Sequence, residues 1–223
     1  MIAVISDVHA NLPALEAVLK RIEKLNVKRI FCAGDVVGYY PFPDECVEKI
    51  VEKSIECVMG NHDYAVLTGD TRWFNETAAY AIDFTRRIMG RKNFIAGMKQ
   101  SFEIEIYGKL VGVFHGSPRN PLFEYVFPET RKERLSEMVG GYDALILGHT
   151  HIPMHVEAGK KIVVNPGSVG QPRDGDARAS FITIDENWRV KNYRVGYKVE
   201  KTVEAVGRAD LPPELGERLF FGF

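Results

Sequence analysis

Short apolar runs that stop abruptly at a polar residue recur along the chain. Residues 2–5 lead into Ser6-Asp7, residues 30–33 into Gly34-Asp35, and residues 55–59 into Gly60-Asn61-His62-Asp63. Residues 110–114 lead into His115, and residues 144–147 into Gly148-His149-Thr150-His151. Each run is short and rich in Val, Ile, Leu or Phe, the pattern of a strand buried on both faces. Helical patterns lie between them. Asn11 is a good N-cap, and behind it Leu12, Leu15, Val18, Leu19, Ile22 and Leu25 fall on one face. Cys46, Val47 and Ile50 give residues 43–53 the same spacing. Asn75 predicts a helix start, running to about Met89 and ended by Gly90, and residues 130–139 form a further helix. Strand, helix, strand in this order predicts right-handed crossovers and parallel pairing.

The middle of the chain changes period. Residues 102–107 alternate apolar positions with Glu103 and Glu105, and Gly108-Lys109 turns them into residues 110–114 as a hairpin. Further strands are expected at 161–164, 181–184 and 188–195, the last two joined by the turn Asp185-Glu186-Asn187. Two mixed sheets packed together and flanked by helices satisfy both halves, so the expected class is α/β. With no internal repeat, low-complexity tract or flexible linker, one domain over residues 1–223 is expected.

Composition narrows the function. Of 223 residues 45% are hydrophobic and 26% charged, an ordinary globular balance, and 29 Lys+Arg stand against 30 Asp+Glu. That balance excludes bulk nucleic-acid binding. No stretch approaches membrane-spanning length, and the N-terminal apolar run stops too early for a signal peptide. Cys32, Cys46 and Cys57 form no C-x-x-C pair, which fits a reducing, cytoplasmic setting.

His9, His62, His115, His149 and His151 lie at or just beyond predicted strand ends, as do Asp7, Asp35 and Asn61. In open α/β sheets the carboxyl ends of strands line the ligand crevice. Imidazole and carboxylate donors suit Mn, Fe, Ni, Co or Zn, and two such ions roughly 3.5–4 Å apart can hold both the attacking and the leaving oxygen of a displacement. A lone Asp or His at such a place is usually a turn former or a half-buried ring. Eight of them from five segments are better read as a metal site.

The motifs Asp7-Val8-His9, Gly34-Asp35, Gly60-Asn61-His62-Asp63, Val113-Phe114-His115-Gly116 and Gly148-His149-Thr150-His151 resemble, in order, those of calcineurin-like metallophosphoesterases. Asn165-Pro166-Gly167-Ser168 looks like the compact prokaryotic phosphodiesterase branch. The resemblance implies a four-layer αββα sandwich and two divalent metal ions, Mn foremost. It implies one metal on Asp7, His9 and His151, the other on Asn61, His115 and His149, and Asp35 bridging them. It implies a metal-bridging hydroxide as nucleophile and His62 as the acid that protonates the leaving oxygen. The substrate would be a small-molecule phosphate ester or nucleotide. The pattern departs at Gly38-Tyr39, where serine/threonine phosphatases carry an Asp-Arg pair that orients the histidine and holds phosphate. That weakens a protein-phosphatase reading and calls for another cation.

Arg173, in the loop Gly170-Gln171-Pro172-Arg173-Asp174-Gly175, is the first candidate for that cation and Arg119 a weaker one. Tyr39, Tyr40, Phe42, Trp73 and Phe74 are read mostly as packing, with a subset able to stack a nucleobase. His155 fits no motif. Ser168 lies outside a G-x-S-x-G elbow, against a serine hydrolase. A non-catalytic scaffold of the retromer-subunit type is the rival from another class, but every ligand position here is filled. The apolar tail 219–223 is expected to pack on the body or on a second copy of the chain.

Overall fold

A computed structural model describes residues 1–223. Its strands are β1 (Ile2–Ile5), β2 (Arg29–Cys32), β3 (Glu56–Cys57), β4 (Ser101–Ile106), β5 (Lys109–Phe114), β6 (Ala144–Ile146), β7 (Pro153–Ala158), β8 (Lys161–Pro166), β9 (Ala179–Ile184) and β10 (Val190–Val195). They form two five-stranded sheets, ordered β10-β9-β1-β2-β3 and β4-β5-β6-β8-β7. Both are mixed. β1 pairs parallel with β2 and antiparallel with β9, while β5, β6 and β8 are parallel and β4 and β7 run antiparallel at the edges.

The period of two decides the layers. On β1, Val4 faces inward with Phe31, Ile182 and Ile184 against Val111, Val113, Ile146 and Val164 of the second sheet. Its alternate residues, Ala3 and Ile5, face helices α1 (Leu12–Ile22) and α2 (Pro43–Glu52) through Leu15, Val18 and Ile50. On the far side Phe114, Leu145 and Val163 pack on Leu135 and Val139 of α6 (Lys132–Val139). The order is helix, sheet, sheet, helix, the four-layer α/β arrangement expected.

Asn11 caps α1 by accepting from Ala14 N, and Asn75 caps α4 (Glu76–Ile88) by accepting from Ala78 N. The structure corrects several boundaries. α1 ends before Leu25, and β3 is a two-residue strand rather than the run 55–59. Trp188 sits in the turn, in the left-handed region, so β10 begins at Val190. The elements α3 (Asn61–Thr68), α5 (Lys92–Ala96), β7, α7 (Val199–Arg208) and α8 (Glu214–Glu217) were not expected. No helix is long and apolar enough to cross a membrane. In the tail, Leu219 is buried with Tyr40, Ala81 and Leu215, whereas Phe220, Phe221 and Phe223 stay exposed.

Candidate metal centre and substrate cavity

The carboxyl ends of β1, β2, β5 and β6 and the start of α3 meet at one place. Backbone bonds tie the loops there: Asp7 N donates to Gly34 O, His9 N to Asp35 O, Gly148 N to His115 O and Gly170 N to Asp7 O. The chain turns sharply as each strand ends. Asp7, His9, Asp35, His149 and His151 all take φ between 50° and 70°, a region where an L residue costs roughly 1–3 kcal/mol and persists only when its surroundings impose it. Gly60 is required for a different reason: a Cβ there would lie 2.0 Å from Asp35 Oδ1.

All eight residues expected at the site are buried together. His9 Nε2 lies 3.0 Å from His151 Nε2, and Asp7 Oδ1 lies 3.4 Å from His151 Nε2 and 3.8 Å from His9 Nε2. His115 Nε2 lies 2.9 Å from Asn61 Oδ1, 3.2 Å from His149 Nδ1 and 3.3 Å from Asp35 Oδ2. Asp35 Oδ2 is also 3.6 Å from His9 Nε2, so this one carboxylate touches both clusters.

The tautomers follow from the outer bonds. His151 Nδ1 donates to Gln171 O at 2.5 Å and His115 Nδ1 to Ala33 O at 2.7 Å, which leaves each Nε2 free to present a lone pair inward. Asp7 Oδ1 and His149 Nε2 are buried without a protein partner. Lone pairs this close repel unless a positive charge lies among them. Without metal that charge is a proton. Burial opposes it at His115, but Asp35 prevails and pushes the ring up to about 9. Burial holds His9, His149 and His151 well below the usual histidine range and raises Asp7 to about 7. Burial works against a charge on Asp35 too, yet His115 and His62 keep it well below the usual carboxylate range. Neutral imidazoles and an ionised carboxylate are the donors a divalent metal takes, and the groups Asp7–His9–His151 and Asp35–His115–His149 each bring their ligand atoms within 4.8 Å. A third group, His9–Asp35–His62, meets the same distance.

His62 is held by rings rather than by a carboxylate. It packs against Tyr39 at 4.5 Å, His9 at 4.7 Å and Phe74 at 4.8 Å between centroids, and its Nδ1 has no hydrogen-bond partner. Gly38, at φ 135°, makes room, since a Cβ there would be 2.7 Å from that nitrogen. Asp63 does not reach the ring; its carboxylate accepts from Val36, Val37 and Gly60 N. The backbone N–H of His62 donates to Asp35 Oδ1 at 2.8 Å.

Above these residues opens a cavity of about 540 Å³, lined by Asp35, Asn61, His62, His149, His151 and Arg173 on one side and by Tyr39, Trp73, Phe74, Phe123 and Tyr125 on the other. Arg173 Nη2 donates to Tyr39 Oη at 3.1 Å and to Gln171 Oε1 at 2.7 Å. A guanidinium thus arrives from a distant loop where the sequence lacks one in the Gly38-Tyr39 segment. Arg119, by contrast, is committed to Glu124 and does not line this cavity. His155 is partly exposed, with Glu157 beside it.

Sequence reasoning missed the supports. Gln171 fixes His151 through its carbonyl and Arg173 through its side chain. Ser168 Oγ donates to Asp7 O, and Asn165 Nδ2 donates to Gly148 O. Asn165 and Ser168 belong to the quoted turn motif, which was the only signal available for them.

Two buried nests of lone pairs around a shared carboxylate, at the floor of an open cavity, define a metallohydrolase. The chain belongs to the calcineurin-like phosphoesterase superfamily, whose domain matches residues 1–187, and is a metal-dependent phosphoesterase. A Methanocaldococcus jannaschii protein described only as uncharacterized is 40% identical over 242 aligned residues, spanning 100% of this chain and 98% of its own length. A protein of Methanothermobacter thermautotrophicus named as a probable metallophosphoesterase is 30% identical over 192 residues, covering 83% of this chain and 86% of its own. The crystal structure of a metallophosphoesterase from Sphaerobacter thermophilus superposes with a TM-score of 0.85 at 33% identity, covering 100% of this chain and 98% of that one.

Proposed function

We propose that the protein is a dinuclear phosphodiesterase for small phosphate esters or nucleotides, with Mn as its metal. The observation that carries the reading is the pair of ligand clusters sharing Asp35 beneath a cavity that Arg173 enters. Asp7, His9 and His151 would hold one ion, Asn61, His115 and His149 the other, with Asp35 between. The ions, when bound, supply Lewis acidity at the phosphoryl oxygens and lower the pKa of water at neutral pH. The chain does the rest. Gln171 O and Ala33 O fix the ring orientations of His151 and His115, and the His62 N–H fixes Asp35. Arg173 presents its remaining N–H groups to the phosphoryl oxygens, and His62 gives a proton to the departing oxygen. A diester is preferred over a phosphoprotein because the cavity is walled by rings and lacks the Asp-Arg pair of protein phosphatases.

Protein stripped of metal by chelation should not hydrolyse bis(p-nitrophenyl) phosphate, and Mn²⁺ should restore turnover; undiminished activity in protein shown to be metal-free would sink the reading. Efficient turnover of a phosphoprotein with none of any diester would overturn the preference.

Arg173 gives a second prediction. A fork of donors cannot be replaced by an ammonium, so Arg173→Lys should be nearly as damaging as Arg173→Ala in kcat/KM, with bound metal unchanged. Tyr39→Phe removes one of the two oxygens that aim the fork and should act in the same direction but less. Steady-state kinetics beside elemental analysis checks both; a fully active Arg173→Lys contradicts the assignment.

A further inference from the structure

The phosphoryl end of the cavity is accounted for by the ligands and Arg173, but the opposite wall is not. Trp73 lines it while remaining 77% exposed, and Tyr125 lines it while 51% exposed. Neither ring is needed to close the core. Tyr125 already lies flat on His149, with centroids 3.9 Å apart and planes 20° from parallel. Trp73 makes no ring–ring contact of its own, yet it is not on a loose segment. It sits in the tight turn between α3 and α4, where Phe74 N donates to Thr71 O and Asn75 caps the next helix. An exposed indole on an ordered turn beside a phosphoester site is a stacking platform without an occupant among the protein's own residues.

Polar groups on the same rim lack partners too. Asn120 spends its carbonyl oxygen on Phe123 N, which leaves its NH₂ group unpaired within the protein. Arg218, half-buried in the C-terminal turn, lines the cavity with no hydrogen bond or ion pair from its guanidinium to any protein group. A planar group with hydrogen-bonding edges, attached to a phosphoryl group and carrying further negative charge, satisfies all of these at once. An acyl chain would leave the amide and the second guanidinium unpaired. The cavity, about 540 Å³, has the size usual for a small-molecule site.

We propose that this wall is a nucleobase site: the substrate is a nucleotide phosphoester whose base stacks on Trp73 while its phosphoryl group lies at Arg173 and the metal ligands. This deepens the phosphodiesterase reading and rests on it. The test compares adenosine 5′-monophosphate with ribose 5-phosphate, which keeps sugar and phosphate and deletes only the base. Calorimetric titration of the Mn²⁺-loaded protein should show the nucleotide binding roughly 5- to 150-fold more tightly, the usual worth of one base stacked on an aromatic ring. Indole fluorescence should be quenched by the nucleotide alone. The other tryptophan, Trp188, is tied by its Nε1–H to Ile106 O in the β9–β10 turn and should report nothing.

In Trp73→Ala the ratio of the two affinities should fall toward one, and Trp73→Phe should restore most of it. Trp73 is exposed, so neither change threatens the fold. Equal affinities in the unaltered protein, or a nucleotide preference that survives Trp73→Ala intact, would overturn the proposal. The titration measures binding directly and so separates the two readings. Metal-dependent hydrolysis of bis(p-nitrophenyl) phosphate without base preference removes only the base site. Nucleotide binding through Trp73 in a protein that hydrolyses no phosphoester removes only the catalytic reading.

Discussion

Asp35→Asn should abolish metal retention and lower kcat/KM for bis(p-nitrophenyl) phosphate by about 10³-fold or more, beyond what a single lost donor costs in a preorganised site. The substitution isolates charge from shape. Asparagine tolerates the φ of 53° at this position, and its Oδ1 can still accept from His62 N. What disappears is the carboxylate oxygen that lies 3.6 Å from His9 and 3.3 Å from His115. That oxygen belongs to both clusters, so under the proposed dinuclear reading its loss should weaken both ions rather than one. Thermal unfolding gives a readout independent of turnover. Each ion present at roughly a thousand times its Kd adds about 4 kcal/mol to the folded state, worth about 2–4 °C per kcal/mol in a chain of this size. The unaltered protein should therefore gain about 8–16 °C in Tm for each Mn²⁺ bound, and Asp35→Asn should gain little. Elemental analysis finding the full metal complement in Asp35→Asn, with the Tm gain intact, would remove Asp35 from the centre.

The residues of this centre could be read from sequence because of where they stand. β1, β2, β5 and β6 end in residues buried on both faces, so the last part of each is a nearly uninterrupted apolar run, and the first Asp or His beyond it is the one that the sheet delivers to the crevice. The elements that were missed lack such uninterrupted runs. β7 is an edge strand in which Met154, Val156 and Ala158 alternate with exposed His155 and Glu157, the period of β4, but it opens on Pro153, a residue that argues against a strand and is tolerated because its first position needs no ladder donor. α3 buries Asn61, His62 and Asp63 consecutively at its N-terminus because they serve the site, so no apolar stripe marks it as a helix. α7 does carry Val199, Val203 and Val206 at helical spacing, but one of its two buried residues, Thr202, is polar, its hydroxyl spent on Asn11. The supports were less legible still. Tyr39 meets Arg173 across 134 positions of sequence, and Tyr40 meets Gln171 across 131. No local pattern encodes a contact at that range. The left-handed backbone at Asp7, His9, Asp35, His149 and His151 is likewise imposed by tertiary bonds, since none of these residues favours it strongly enough alone.

His62→Ala should keep the metal complement and still lose about 10²–10⁴ in rate on an unactivated diester, the usual worth of a general acid. The backbone and the ring of this residue do different things. Its contribution to the centre is its backbone N–H, which orients Asp35 and survives any side-chain change. Its ring packs against Tyr39, His9 and Phe74 and lines the cavity. Burial lowers the ring to about 4, so the free protein carries it neutral at neutral pH. A bound phosphoryl anion favours the charged form and raises that value, so under the proposed function His62 would be a proton donor only in the complex. Two consequences distinguish this from a packing role. The loss should shrink on bis(p-nitrophenyl) phosphate, whose leaving group needs little protonation, and His62→Gln, which restores bulk and an N–H but has no proton to give, should recover little of the rate on the unactivated diester. The competing assignment is the His9–Asp35–His62 grouping, in which the ring itself is a ligand. Elemental analysis decides between them: a His62→Ala protein that folds but has lost metal places the ring in the centre, and one that is fully loaded and slow places it at the leaving oxygen.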